Sequence, residues 1–132
     1  MLNKTQVLDK LSEFTWHMKL ERNQIQVLGG SAMVMRGLRD QTADVDLYVP
    51  TECCRRMVTT GVYYKMPVKG QPDVMWVVGG AIDARDTRHE CDRIINGYHV
   101  QSLQSILNLK LPLNRKKDEK DIQILKRALQ IL

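Results

Sequence analysis

Asp44 and Asp46, two aspartates one residue apart, are the part of the chain best suited to chemistry. In Thr42-Ala43-Asp44-Val45-Asp46-Leu47-Tyr48-Val49 the acids alternate with apolar residues, the period of a half-buried strand. That spacing predicts both carboxylates on one face and Val45, Leu47 and Val49 on the other. Carboxylates about 7 Å apart repel by roughly 2–3 kcal/mol at an effective dielectric of about 20. A cation held beside them would offset that cost.

Upstream, Val27-Leu28-Gly29-Gly30-Ser31-Ala32 reads as a strand, a glycine turn and a helix start. Paired glycines let the chain turn sharply and let a ligand approach the backbone. Ser31 is expected to cap a buried helix from Ala32 to about Leu38, whose free amides would bind an anion. The plainer alternative is a turn that only joins strand to helix. Near the end of the chain, Lys110 shares a helical phase with Leu103, Ile106 and Leu107, and Asp118 and Asp121 precede Ile122 and Leu125. A lysine and two aspartates turned toward a core must be paired or hold a ligand. Lys110 is therefore either half of an ion pair with Asp121 or a functional cation, and the two roles are compatible.

The elements that must position these residues follow from periodicity. Val7, Leu8, Leu11, Phe14 and Met18 form one face of a helix, which an Asn3–Gln6 capping box starts near Lys4. Strands are expected at 25–28, 45–49, 62–66 and 73–78, with turn chemistry from Pro67 to Pro72. A helix capped by Thr51 should run to Thr59. The charged stretch Ala81 to Asp92 reads as a surface loop or short helix. Asn96-Gly97 predicts a hairpin between 93–95 and 98–101. A helix capped by Ser102 should end before Pro112, and a last helix opening at Asn114 or Arg115 carries Ile122, Leu125, Leu129 and Leu132 on one face.

At 132 residues the chain is expected to form one domain, and its net charge of +5 suits a nucleotide or RNA partner without requiring one. No apolar run is long enough to span a membrane. Cys53, Cys54 and Cys91 have no zinc spacing, and without a signal peptide they read as free thiols in a reducing cytoplasm. His17, His89 and His99 receive no role. The Tyr63-Tyr64 and Cys53-Cys54 regions are candidate surfaces for a homo-oligomer.

In order, Gly29-Gly30-Ser31-Ala32, Arg39, Thr42 and Asp44-Val45-Asp46 resemble the signature of the DNA polymerase β-type nucleotidyltransferase superfamily. They are most similar to its small prokaryotic and phage members: the antitoxin-like minimal nucleotidyltransferases and the AbiEii/MenT-type toxin nucleotidyltransferases. Lys110, Arg115, Lys117-Asp118 and Asp121 are similar to the lysine and Arg-x-Lys-Asp-x-x-Asp run near the end of such domains. The resemblance spans about residues 25–49 and 102–125.

It implies an α+β nucleotidyltransferase fold, a small mixed β-sheet flanked by helices with two C-terminal helices packed on it. It further implies that Asp44 and Asp46 hold one or two Mg²⁺ (or Mn²⁺) ions and that Gly29, Gly30 and Ser31 bind the phosphates of an NTP. Lys110 and Arg39 would stabilise phosphate charge, and Asp118 and Asp121 would hold Lys110 in place. A third carboxylate is expected on a neighbouring strand. Asp73, which begins the most apolar strand, is preferred, and Asp83 is the alternative. The implied activity is transfer of a nucleoside monophosphate, AMP for instance, to an acceptor hydroxyl. That acceptor would be a tRNA 3′ end or other RNA, a side chain of a partner protein, or a small molecule such as an aminoglycoside. The competing expectation is a catalytically silent protein of the same fold, acting as a binding, antitoxin or inhibitor module.

Overall fold

Asn3 starts the first helix as its sequence predicts. Its side chain accepts from the Gln6 amide and the Gln6 side chain accepts from the Asn3 amide, both at 2.9 Å. The resulting helix α1 (Lys4–Met18) turns Val7, Leu11, Phe14 and Met18 inward. Each such buried side chain stabilises the fold by roughly 1.5–3 kcal/mol. The computed structural model describes residues 1–68 and 71–130, with side chains except at 68 and 71–75. Gly70, in the expected turn, and Leu132, on the expected last helical face, lie outside the described residues.

The chain continues through β1 (Gln26–Leu28), α2 (Gly29–Met35), β2 (Val45–Tyr48), α3 (Thr51–Thr59), β3 (Tyr64–Val68), β4 (Gln71–Gly79) and β5 (Ile82–Arg85). It ends with β6 (Cys91–Ile95), β7 (Tyr98–Gln101), α4 (Leu103–Leu113) and α5 (Glu119–Ala128). Among the described residues seven strands form one mixed sheet in the order β3-β4-β5-β2-β1-β7-β6. β2 lies at its centre, antiparallel to β1 and parallel to β5. Side chains from all five helices join Val27, Val45, Leu47 and Val100 of the sheet in one core. The architecture is the expected α+β arrangement.

Several boundaries differ from expectation, each for a local reason. Helix α2 begins at Gly29, capped by the extended Leu28, so Ser31 lies inside it and is not its cap. It stops at Met35 because Gly37 takes a left-handed φ of 76°. Asp44 precedes β2, so the two acids do not share a strand. Pro50 occupies the cap of α3, and Thr51 instead donates its hydroxyl to Asp86 at 2.9 Å. Pro67 and Pro72, both expected in a turn, belong to β3 and β4.

The stretch 81–92 contains β5 and the start of β6. Four residues, Ile82 and Ala84 inward with Asp83 and Arg85 half-buried, are too short a period to outweigh the charges around them. The Asn96-Gly97 hairpin forms as predicted, both residues having positive φ. Ser102 caps α4 as predicted, accepting from the Ser105 amide at 3.1 Å. Pro112 falls in the final turn of α4, where a missing amide ends a helix without breaking its interior, and α4 closes on Asn114. A 3-10 turn over 116–118 precedes α5, which therefore opens later than expected.

Candidate active site

Ser31 joins the elements around the site. Fully buried, its hydroxyl donates to the Leu28 carbonyl at 2.7 Å and accepts from the Asp46 amide at 3.1 Å. The hydroxyl is thus engaged in fixing α2 against β1 and β2, and it sets the position of Asp46. The amide of Gly29 donates to the Gln101 side-chain carbonyl at 2.9 Å, tying the turn to the end of β7.

Both glycines lie close against side chains of the site. Gly29 has a φ of +55°, and a Cβ there would stand 2.8 Å from Asp46 Oδ2. A Cβ on Gly30 would stand 2.9 Å from both Arg39 Nη1 and Thr42 Oγ1. The Thr42 hydroxyl donates to the Asp44 carbonyl at 3.2 Å, closing the connector between α2 and β2. The backbone turn is therefore packed between a carboxylate on one side and a guanidinium on the other.

Asp46 pairs in register with Leu28 on β1 and with Asp83 on β5. Paired residues on adjacent strands project to the same side of a sheet, so Asp46 and Asp83 are neighbours. Burial, then the charges of Asp83 and Asp44, push the Asp46 carboxyl up to about 7, against the opposing pull of Lys110 and Lys117. Asp83 is also raised, by burial and then by Asp44. Asp44 is exposed at the mouth of the group. Asp73 stands in β4, five residues before Val78, the register partner of Asp83. The Asp73 side chain lies outside the described residues.

The cations form a chain across α4, α5 and the α2–β2 connector. Lys110 donates to Asp118 at 2.9 Å and lies 3.5 Å from Asp121. Arg39 pairs with Asp121 at 3.0 Å, and Arg115 pairs with Asp118 at 2.6 Å. Burial alone would raise the Asp118 carboxyl, but hydrogen bonds from Lys110 and Arg115 hold it below the usual range. The sequence predicted a Lys110–Asp121 pair, whereas Asp118 is the closer partner and Asp121 bridges Lys110 to Arg39.

A cleft of about 240 Å³ joins these parts, bounded by Gly29, Gly30, Asp46 and Lys110 and extending to Trp76, Arg85, His89 and Arg115. Sequence reasoning missed Trp76, Arg85, His89 and Gln101 as cleft residues. The turn at Gly80-Ala81 returns the chain from Trp76 on β4 to Arg85 on β5 beside β2, and it was the one signal for those two.

The chain matches no protein-family model and no curated protein. Among solved structures it is similar to ANT(2″)-Ia in complex with adenylyl-2″-tobramycin, with a TM-score of 0.58 and 19% identity over 95% of this chain and 90% of that one. It is likewise similar to the solution structure of the antibiotic-resistance factor ANT(2″)-Ia, with a TM-score of 0.56 and 15% identity over 97% and 86% of the two chains. The fold is that of a nucleotidyltransferase. Among the described residues no helix is long and apolar enough to cross a membrane.

A nucleotidyltransferase fold implies a divalent cation. Among the described residues no three His, Cys, Asp or Glu side chains form a group that could hold a metal ion. The donor chemistry of Asp44 and Asp46 fits magnesium, which takes oxygen ligands from one or two carboxylates together with water and substrate phosphates. Asp46 is partly buried and destabilised by two neighbouring negative charges, which a cation would offset.

Proposed function

We propose that the chain is an enzyme that transfers a nucleoside monophosphate from an NTP to an acceptor hydroxyl and releases pyrophosphate. The observation that carries this reading is the register pairing of Asp46 with Asp83, with Asp44 beside them and the Gly29-Gly30 turn and Lys110 in the same cleft. Likeness of fold to ANT(2″)-Ia supports it.

In this reading Asp44 and Asp46 hold Mg²⁺ or Mn²⁺, which, when bound, neutralises phosphate charge as the α-phosphorus is attacked. The Gly29-Gly30 backbone lies beside the phosphates, and its missing Cβ atoms leave room for the Asp46 carboxylate and the Arg39 guanidinium that flank it. Lys110 and Arg39 offset charge on the leaving pyrophosphate, each held by Asp121, and Asp118 holds Lys110 from the other side. Asp83 is the third carboxylate and takes the acceptor proton. Its raised pKa makes it a stronger base than an ordinary aspartate. The acceptor oxygen bonds to the α-phosphorus as the bond to the bridging oxygen breaks. Ser31 contributes by positioning Asp46.

The acceptor classes are a nucleic-acid end, a protein side chain, or a polyamine sugar of the kind present in the adenylyl-2″-tobramycin held by ANT(2″)-Ia. The test is incubation with each α-labelled NTP, Mg²⁺ and total RNA, cell lysate or tobramycin. Label transfer that disappears in Asp46→Ala is expected. Tight Mg²⁺-dependent NTP binding without transfer to any acceptor would instead mark a catalytically silent binding module. Transfer that persists in Asp46→Ala would overturn the metal assignment.

A further inference from the structure

Much of the cleft wall is apolar. The sheet supplies Leu28 and Trp76, and α4 supplies Ile106, Leu109 and Leu113. Leu109 and Leu113 remain 49% and 53% exposed. Open apolar surface inside a cleft suits the flat, uncharged part of a ligand whose charged part lies elsewhere. In an NTP that part is the base.

His89 and Arg85 add polar groups to the same wall. His89 belongs to the irregular stretch 86–90 between β5 and β6, which side-chain bonds pin along its length. Asp86 accepts from the Thr51 hydroxyl at 2.9 Å, Arg88 donates to the Tyr48 hydroxyl at 3.2 Å, and Glu90 accepts from the Ser102 hydroxyl at 3.1 Å. Gln26 on β1, itself buried, holds His89 with both ends of its amide. It donates to the His89 carbonyl at 3.0 Å and accepts from the His89 amide at 2.9 Å, the pair of bonds a neighbouring strand would make. Among the described residues His89 Nδ1 and Arg85 Nε are buried and lack a hydrogen-bond partner. Such groups are an uncompensated cost that a bound ligand can remove. Burial, then the Arg85 charge, lower the His89 pKa, so the ring is neutral at pH 7 and suits an uncharged base better than a phosphate.

We infer, resting on the transfer reaction above, that His89 reads the base of the NTP and that Gln26 is the residue that positions it. The base lies between the α4 leucines and the sheet with its edge toward His89 and Arg85, and the triphosphate extends to the Gly29-Gly30 turn and Lys110. A neutral imidazole offers one donor and one acceptor nitrogen, and Arg85 Nε offers a donor. The four bases differ in the order of donors and acceptors along their edges. A fixed imidazole therefore distinguishes them, because the wrong base leaves its nitrogens unpaired. Gln26 touches the main chain of His89, so its effect on the base passes through that residue.

The test measures Mg²⁺-dependent binding of ATP, GTP, CTP, UTP and ribose triphosphate, which has no base, to the full chain by calorimetry. The tightest NTP is expected to bind at least about tenfold better than the weakest. His89→Leu, which keeps the packing and removes both nitrogens, should bring the four within about threefold and leave ribose triphosphate binding unchanged. Gln26→Ala should lower the discrimination too, and the double variant should be no worse than His89→Leu alone. Gln26→Glu, which keeps the acceptor and loses the donor, is the milder variant and should discriminate to an intermediate degree. Equal affinity of the unsubstituted chain for all four NTPs overturns the inference and leaves the transfer reaction standing. So does His89→Leu weakening ribose triphosphate as much as it weakens an NTP. Additive losses in the double variant overturn the role of Gln26. Absence of Mg²⁺-dependent binding of every NTP overturns the transfer reaction as well.

Discussion

Asp46 on β2 and Asp83 on β5 are register partners across a parallel ladder. Two partly buried carboxylates thus stand side by side. If Asp83 takes the acceptor proton, Asp83→Asn should lower label transfer by roughly 10²–10⁴-fold while leaving Mg²⁺-dependent NTP binding measurable by calorimetry. Asp73→Asn, five residues from the register partner of Asp83, should transfer at close to the unsubstituted rate. The reverse pattern in a steady-state transfer assay would return the role to Asp73.

The same pairing makes the metal-free protein sensitive to pH. The Asp46 carboxyl is raised from 3.8 to about 7, so between those values the folded state binds the proton more tightly than the unfolded chain does. Its contribution to stability is complete below about 4 and is lost as pH rises through about 7, a change of at most about 4 kcal/mol. In EDTA, Asp46→Asn should melt above the unsubstituted protein at pH 8, and the two curves should converge near pH 4. Mg²⁺ should then raise the melting temperature of the unsubstituted protein at pH 8 more than that of the variant. A gap in melting temperature independent of pH would remove burial of the Asp46 charge as its cause.

Legibility in the sequence followed element length. The fifteen-residue α1 announced itself through one apolar face and a capping box, and both are present. The Asn96-Gly97 turn was equally plain, because few other dipeptides accept two successive positive φ values. The four-residue β5 was not legible, since Asp83 and Arg85 lie among charges that read as surface. Position on the sheet made Asp83 a neighbour of Asp46, and strand order is a non-local property that no local period encodes. Ser31 was misread for a related reason. A serine after paired glycines is a good cap, but here the helix begins at the glycines and the hydroxyl is drawn to the Asp46 amide. Lys110 and Asp121 were legible because helical phase turns them inward on α4 and α5, whereas Asp118 is turned inward by the 3-10 turn before α5. Their pairing order was not.

The Gly29 turn offers a comparison that separates backbone strain from the site itself. Alanine at Gly29 would meet a left-handed φ of +55° and place Cβ 2.8 Å from Asp46 Oδ2. Gly37 has a similar φ of +76°, but a Cβ there would have nothing within 4 Å. Gly37→Ala should lower stability by about 1–2 kcal/mol in urea titrations, the cost of the left-handed conformation, and Gly29→Ala by at least as much, since its Cβ must also displace the Asp46 carboxylate. Only Gly29→Ala should also weaken Mg²⁺-dependent NTP binding in calorimetry. Equal effects of both variants on binding would mean that the turn is structural and does not contact the nucleotide.

Lys110 and Asp118 should separate activity from stability. Asp118→Ala removes the partner of both Lys110 and Arg115 and leaves the nearly buried Lys110 with only the more distant Asp121. Breaking a buried pair from one side in this way should cost about 3–5 kcal/mol in urea unfolding. Lys110→Met is milder, because Asp118 keeps Arg115 at 2.6 Å and Asp121 keeps Arg39 at 3.0 Å. Its stability loss should stay within about 1–3 kcal/mol. If the lysine meets charge that develops as pyrophosphate leaves, transfer should nonetheless fall by roughly 10²-fold or more, with kcat reduced more than KM is raised. Lys110→Arg should recover stability better than activity, since a planar guanidinium does not occupy the point position of an ammonium. If Lys110→Met unfolds as readily as Asp118→Ala and transfers at the unsubstituted rate, the lysine is a tie between α4 and α5 and nothing more.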